Sequence, residues 1–160
     1  MSRLLIRPAT RRDRPALIAM LCALSPESAY QRFQTPLGAH PTRTVIDGLL
    51  PEPARGVALL GFLDGALVAH GMWVRVGPAA EIALLVADDH QRRGVGTALA
   101  DALLADLAAR GIAQVEVFTG ADNHAVPRMV ARQAPGSERT LDGATASYTF
   151  AVERRRVAAA

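Results

Sequence analysis

The sequence Gln91-Arg92-Arg93-Gly94-Val95-Gly96-Thr97 joins two segments whose apolar patterns differ. Residues 82–87 before it are all apolar, which predicts a buried strand, and the amphipathic pattern after it, up to Arg110, predicts a helix. A loop that opens a helix presents successive backbone N–H groups at the positive end of the helix dipole. Because Gly94 and Gly96 have no side chain, a phosphate can approach this backbone closely. The stretch therefore predicts an anion site suited to a pyrophosphate.

Two common phosphate-binding loops are excluded by the same residues. A Walker loop ends in Gly-Lys-Ser/Thr, and this chain contains no lysine. A dinucleotide-binding fingerprint needs a third glycine where Leu99 stands. The loop instead resembles the Q/R-x-x-G-x-G/A signature of the GNAT superfamily, the acyl-CoA-dependent N-acyltransferases, in which it binds the pyrophosphate of coenzyme A. An ordinary strand–helix turn is the alternative for the loop taken alone.

Other segments resemble one branch of that superfamily, the GNAT domain of bacterial Pat-type protein lysine acetyltransferases. Residues 80–96 are similar to the strand and loop of that branch. Leu24-Ser25-Pro26-Glu27-Ser28-Ala29-Tyr30-Gln31-Arg32-Phe33 resembles its Leu-Ser-Pro-Glu-Ser-x-Tyr-x-Arg-Phe segment. Asn123 with residues 129–132 partly resembles the Asn-containing helix that follows the fifth strand. The resemblance covers most of the chain.

The rest of the pattern predicts a mixed α/β domain in the order β-α-α-β-β-β-α-β-α-β-β, which is the GNAT order. Thr10 and Ser25 are predicted helix caps, and Asp64-Gly65 and Asp142-Gly143 are predicted hairpin turns. We expect a single domain over residues 1–160 with a GNAT fold, in which helices flank a central mixed, mostly antiparallel sheet. Residues 154–160 are expected to form a flexible tail.

The resemblance implies direct acyl transfer, in which the acceptor amine loses a proton and attacks the thioester of acetyl-CoA. Glu81 is the only acidic residue on the predicted central strand, and the resemblance makes it the general base, directly or through a water. The alternative is a solvent-exposed glutamate at the end of a strand. The resemblance also implies that the Val86 N–H stabilises the oxyanion. Backbone groups of Leu84 and Val86 would pair with the pantetheine amides as an added strand would.

The coenzyme A site that the resemblance implies consists of backbone groups, glycines and a few polar side chains. Its members are Leu84, Leu85, Val86, Gln91, Arg92, Arg93, Gly94, Val95, Gly96, Thr97 and Asn123. Some of them have an ordinary structural alternative. Arg92 and Arg93 could face solvent rather than the pyrophosphate, and Asn123 could cap a helix, alone or in addition to a cofactor contact.

The chain departs from the superfamily pattern at two places. Val130 stands where much of the superfamily has the tyrosine that protonates the leaving thiolate, a tyrosine that Pat-type domains also lack. The general acid is therefore unassigned, and core packing is favoured over that role for Tyr148. After Arg132, Gln133-Ala134-Pro135-Gly136 replaces the common Leu-Gly-Phe, so the shape of the nearby cleft is not predicted.

Composition restricts the partners and the location of the protein. The net charge is +3, the basic residues are spread along the chain, and aromatic residues make up only 4 %, so no nucleic-acid partner is expected. No apolar run approaches the roughly 18 residues of a spanning helix, so no membrane partner is expected either. Cys22, the single cysteine, lies in an apolar helical pattern and is interpreted as a core residue. Without a signal-peptide pattern, a cytoplasmic location is expected.

The histidines do not suggest a metal centre. None of the four shows metal-ligand spacing with another His or with Cys, so no metal is predicted. His70 and Trp73 lie on the predicted third strand and could border an acceptor cleft, although packing is the favoured interpretation of both.

The leading functional hypothesis is an acetyl-CoA-dependent N-acetyltransferase that modifies a protein lysine. One alternative is transfer to a small amine. A polycationic acceptor would favour an acidic cleft, and the chain has few clustered acids beyond Asp88-Asp89. The other is an acyl-CoA-binding module without catalysis, which the two departures described above leave open. A homodimer would be common in the family, but nothing in the sequence specifies one.

Overall fold

The computed structural model describes residues 2–152, so the tail predicted over residues 154–160 lies outside the described residues. The helices are α1 Arg14–Cys22, α2 Pro26–Phe33, α3 Arg43–Gly48, α4 Val95–Ala109 and α5 Ala125–Gln133. The strands are β1 Leu4–Pro8, β2 Gly56–Leu63, β3 Ala66–Val76, β4 Ala79–Val86, β5 Gln114–Gly120, β6 Glu138–Asp142 and β7 Thr145–Ala151. Short 3-10 turns occupy Arg11–Asp13 and Asp88–His90.

All seven strands form one sheet in the order β1-β2-β3-β4-β5-β7-β6. The β4–β5 pair is parallel, and the other five pairs are antiparallel. The hairpins predicted at Asp64-Gly65 and Asp142-Gly143 form, because glycine at the second position adopts the positive φ that these tight turns need. The predicted mixed, mostly antiparallel sheet with flanking helices is confirmed.

Each face of the sheet has its own apolar core. On one face, α4 packs against the sheet through Leu99, Leu103 and Leu107, all of which are fully buried. On the other face, α1 and α3 contribute Leu17 and Ile46 to a second core over β2, β3 and β4. Side chains of β4 therefore alternate between the α4 face and the α1–α3 face, which places odd-numbered residues such as Glu81 on the latter.

The outward face of α1 corrects one interpretation of the sequence. Cys22 is exposed rather than buried, and Ile18 on the same helix is 38 % exposed. The buried residues of the helix are Leu17, Met20 and Leu21. They form a narrow stripe that does not include the adjacent apolar residues of α1. A short apolar helix can therefore have a continuous hydrophobic pattern and still bury only one side.

The start of the chain is held by an ion pair between the partly exposed Arg7 and the buried Asp13. Asp13 accepts hydrogen bonds from both terminal nitrogens of Arg7, at 2.9 and 2.7 Å, and from the Thr10 backbone N–H at 2.7 Å. The Arg7 hydrogen bonds, helped by those from Thr10, lower the pKa of Asp13 to about 2 although burial opposes the shift. Because the folded pKa is lowered, this stabilisation is fully present above about pH 4 and is lost as the pH falls through about 2.

Asp13→Asn is accordingly expected to lower the free energy of unfolding at pH 7 by about 2 kcal/mol. Its stability should also fall less steeply between about pH 4 and pH 2, since one linked carboxylate is gone. Urea unfolding at pH 7 and at pH 3 measures both effects. Asp142→Asn, at an exposed position, is the control. Equal stability of the two variants at pH 7 would contradict the assignment.

Among residues 2–152, no helix combines the length and the apolar character needed to cross a bilayer.

Candidate active site

Strands β4 and β5 separate soon after they meet. Their pairing consists of Ala80 with Val115 and Glu81 with Glu116, whereas β4 pairs with β3 along its whole length. Beyond Glu81, the edge of β4 that faces β5 has no paired strand. The result is an open wedge between the two strands, referred to as the gap, with Glu81 and Glu116 at its vertex.

The register of β4 determines which backbone groups face the gap. The Ala87 N–H donates to Val68 O at 2.8 Å, and antiparallel partners alternate between bonded and non-bonded pairs. The odd-numbered residues of β4 are therefore bonded to β3. The N–H and C=O groups of Ile82, Leu84 and Val86 point into the gap instead. Leu84 and Val86 thus present backbone groups where the sequence analysis expects the pantetheine.

Leu85 and Gln91 are not placed to contact a cofactor in the gap directly. Leu85 turns its backbone toward β3 and is 5 % exposed, so it has no polar group in the gap. The Gln91 Nε2 donates to Val86 O at 3.0 Å and to Ser28 Oγ at 3.1 Å. The Gln91 side chain therefore hydrogen-bonds to the gap-facing carbonyl of Val86. The Val86 N–H is left as the backbone group of this residue that can bind a ligand.

The predicted pyrophosphate loop lies directly at the open end of the gap. Gly94, at φ 82°, is the residue before α4, and Arg92 also has a positive φ of 57°. Arg92 and Arg93 are exposed and have no hydrogen bond or ion pair with the described part of the chain. The Val95 side chain is buried, so only the backbone of this residue could contact a pyrophosphate. A Cβ at Gly96 would lie 3.2 Å from the Met129 Cε, which shows how closely α5 approaches the loop.

Glu81 faces α2 and has a cation beside it. The side chain is half-buried at the vertex of the gap, on the sheet face that carries α1 and α2. Arg32 of α2 interacts electrostatically with Glu81, and its Nη2 lies 3.5 Å from the Met72 Sδ. Burial lowers the pKa of Arg32 to about 10 although Glu81 opposes the shift, so the guanidinium is charged at neutral pH. Its Nε is buried without a hydrogen-bond partner among the described residues.

A second carboxylate stands next to Glu81. Glu116 is its register partner on β5, and side chains of paired residues lie on the same face of a sheet. Glu116 is half-buried, like Glu81. The sequence pattern did not single out Glu116, because it alternates with Val115 and Val117 as an outward-facing strand residue would.

Asn123 acts as a helix cap. Its Oδ1 accepts from the backbone N–H groups of Ala125 at 2.9 Å and Val126 at 3.1 Å, at the start of α5. Its Nδ2 donates to the Gln31 Oε1 at 3.1 Å and so joins α5 to α2. The cap that the sequence analysis kept as an alternative therefore forms, while a contact with pantetheine stays a prediction.

His70, Trp73 and Tyr148, which could have bordered the acceptor cleft or acted as the general acid, are packed in the protein interior. His70 is fully buried, its Nε2 lies 2.8 Å from Leu49 O, and burial lowers its pKa to about 4, which keeps it neutral. The Trp73 Nε1 donates to Asp106 at 2.8 Å. Tyr148 is 4 % exposed beside Val130 and accepts from the Arg139 Nε at 3.1 Å. Packing, the favoured interpretation of all three, is confirmed.

Residues 2–152 contain no group of three or more His, Cys, Asp or Glu side chains arranged to hold a metal ion.

A strand that separates from its parallel neighbour, with an anion-binding loop at its end, is the architecture expected of an acyl-CoA-dependent N-acyltransferase. The sequence model described as the Acetyltransferase (GNAT) family matches residues 21–134. The chain therefore belongs to the GNAT family of N-acetyltransferases, as its motifs predict. A search of curated protein sequences found no significant match.

Solved structures of acetyltransferases share this fold. The GNAT domain of S. lividans PAT superposes with a TM-score of 0.83 at 22 % identity, covering 94 % of this chain and 96 % of that one. The ribosomal-protein-S18-alanine N-acetyltransferase from Escherichia coli gives 0.72 at 18 % identity, with 99 % of both chains covered. The PaiA N-acetyltransferase from Thermoplasma acidophilum, in complex with coenzyme A, gives 0.67 at 13 %, covering 93 % of this chain and 99 % of that one. These similarities confirm the predicted fold.

Proposed function

We propose that this protein transfers the acetyl group of acetyl-CoA directly to the primary amine of a protein lysine, with Glu81 as general base. The observation that carries the proposal is the position of Glu81 at the vertex of a gap whose β4 edge presents backbone N–H groups. The same strand ends at a glycine loop that opens α4. A site for the pyrophosphate, an edge for the pantetheine and a base therefore follow one another along one strand.

Coenzyme A would lie along β4 with its pyrophosphate on residues 91–97. The N–H groups at the start of α4 and the helix dipole favour a phosphate there, and Arg92 and Arg93 can add positive charge. The pantetheine amides would bond to the gap-facing backbone of Leu84 and Val86, as an added strand does. The acyl end then points toward Glu81.

This orientation of coenzyme A favours the Leu84 N–H over the Val86 N–H as the hydrogen-bond donor to the oxyanion. The family resemblance implies that the Val86 N–H has that role, yet Val86 is five residues from Glu81, about 16 Å along a strand. Leu84 is three residues away, about 10 Å, and its N–H also faces the gap. We therefore assign the hydrogen bond to the oxyanion to the Leu84 N–H and a pantetheine contact to Val86. A water would lie between Glu81 and the amine.

The reaction balances without a further reagent. The amine nitrogen forms a bond to the thioester carbon, the C–S bond breaks, and the amine proton passes to Glu81. Coenzyme A leaves as a thiolate, which takes a proton from water, and protonated Glu81 returns its proton to the hydroxide so formed, which regenerates the carboxylate. Tyr148 is not assigned as the acid, since its hydroxyl accepts from Arg139 in a packed cluster.

The lysine acceptor is supported by α2, the helix that begins within the segment resembling Pat-type domains. This helix brings Arg32 beside Glu81, so the segment that carries the resemblance also forms one wall of the site. A small polyamine remains the second candidate, because Glu116 places another carboxylate beside Glu81. An acetylation assay with a bacterial acyl-CoA synthetase, spermidine and an aminoglycoside separates these acceptors, with mass spectrometry of the products. Acetyl-CoA binding without acetylation of any acceptor would favour the non-catalytic module.

Gly94→Ala is expected to weaken acetyl-CoA and CoA binding by roughly tenfold, because the loop must leave its positive φ to relieve strain of about 1–2 kcal/mol. Isothermal titration of both ligands measures the change. Gly65→Ala is the matched control, since Gly65 has φ 83° in a remote hairpin and an equally open surrounding. Equal loss of affinity in both variants would indicate a general effect of strain and contradict the loop assignment.

A further inference from the structure

Asp88 collects hydrogen bonds from the first turn of α2. Its Oδ2 accepts from the Ser25 backbone N–H at 3.0 Å, and its Oδ1 accepts from the Ser25 Oγ at 2.6 Å and the Ser28 Oγ at 2.7 Å. These serines are 63 and 60 residues away in sequence. A carboxylate with several donors makes stronger hydrogen bonds than neutral pairs do. The contact therefore ties α2 to the segment that follows β4.

The same network reaches the pyrophosphate loop through Gln91. Its Nε2 donates both to the Ser28 Oγ and to Val86 O, so one side chain joins α2, the end of β4 and the first residue of the loop. The Ser25 Oγ additionally caps α2 by accepting from the Ser28 N–H at 3.1 Å. These four side chains, Ser25, Ser28, Asp88 and Gln91, are referred to as the loop clamp.

The charge of Asp88 is unfavourable for the ligand that the loop binds. The hydrogen bonds from Ser25 and Ser28 lower the pKa of Asp88 although burial opposes the shift, so the group is ionised at neutral pH. A carboxylate three residues before a pyrophosphate loop repels the phosphates. Simple electrostatics therefore predicts that removing this charge strengthens CoA binding, and a structural role for the clamp predicts the opposite.

We propose that Asp88 is a positioning residue, which holds the pyrophosphate loop in its cofactor-binding shape by fastening Ser25, Ser28 and, through Ser28, Gln91. The inference rests on the proposed function, since coenzyme A is the ligand of the loop. It also gives the Ser-Pro-Glu-Ser segment a role at the cofactor: the two serines at the start of α2 set the position of a loop more than 60 residues later.

The test compares Asp88→Asn with Asp89→Asn by isothermal titration of CoA. The two variants remove the same charge at adjacent exposed positions, but Asp89, unlike Asp88, makes no side-chain hydrogen bond or ion pair within the described residues. In Asp88→Asn, an amide donor faces the donors of α2. We expect this variant to bind CoA about tenfold more weakly than the unaltered protein, and Asp89→Asn to bind it equally or more tightly.

Kinetics separates positioning from general destabilisation. In Asp88→Asn the KM for acetyl-CoA should rise while kcat at saturating acetyl-CoA is retained, and Ser28→Ala should reproduce this change. CoA binding by both Asp88→Asn and Ser28→Ala that equals or exceeds that of Asp89→Asn would overturn the inference alone. Failure of the unaltered protein to bind CoA would overturn the proposed function and this inference with it.

Discussion

Glu81→Gln is expected to lower kcat by about 10²- to 10⁴-fold, the usual contribution of a positioned general base. The glutamine has the same shape and can still bind a water, but it cannot take a proton from the attacking amine. CoA binding should be unchanged, because the predicted cofactor contacts are backbone groups of β4 and the loop at its end. Steady-state kinetics with the acceptor found by the acetylation assay, together with CoA titration, measures both quantities.

Glu116→Gln provides the matched control for this experiment. Glu116 is the register partner of Glu81, is half-buried on the same face, and loses the same charge in the variant. We expect its kcat to change far less than that of Glu81→Gln. An equal loss in both variants would show that the carboxylate pair acts as a unit. A full kcat in Glu81→Gln with a loss in Glu116→Gln would transfer the role of base to β5.

Leu103→Ala is expected to lower the free energy of unfolding by about 2–5 kcal/mol, because Leu103 is fully buried between α4 and the sheet. Gly71→Ala should cost about 1–3 kcal/mol, since the new Cβ would lie 2.9 Å from side-chain atoms of Leu84, Leu99 and Leu103. Urea unfolding, with the slope of each transition compared, measures both changes.

The double variant tests whether the two positions share one contact. Removing the Leu103 side chain makes room for the methyl group at Gly71, so the combined loss should be smaller than the sum by at least 0.5 kcal/mol or so. Strict additivity would contradict the packing described here. Leu141→Ala, at a position 56 % exposed, is the control and should change stability by no more than about 0.5 kcal/mol. Because Leu84 also belongs to the gap, Gly71→Ala is expected to weaken CoA binding as well.

The fold and the loop could be predicted from the sequence because their signals are local. The hairpin glycines, the Ser25 cap and the glycines of residues 94–96 impose their geometry on residues only a few positions away. The apolar run of β4 likewise marks a buried strand wherever it pairs. Where burial depended on which side of a short helix meets the sheet, as for Cys22, the pattern was ambiguous and the interpretation was wrong.

The chain alone therefore determined the element types, the glycine loop that opens α4 and Glu81 as the acid on the central strand. Only the tertiary structure decided that β4 and β5 part after Glu81, that Glu116 and Arg32 stand beside it, and that Asp88 holds α2. Each of these depends on segments tens of residues apart. Strand register and helix docking are set by the summed packing of two cores, and no single short motif encodes them.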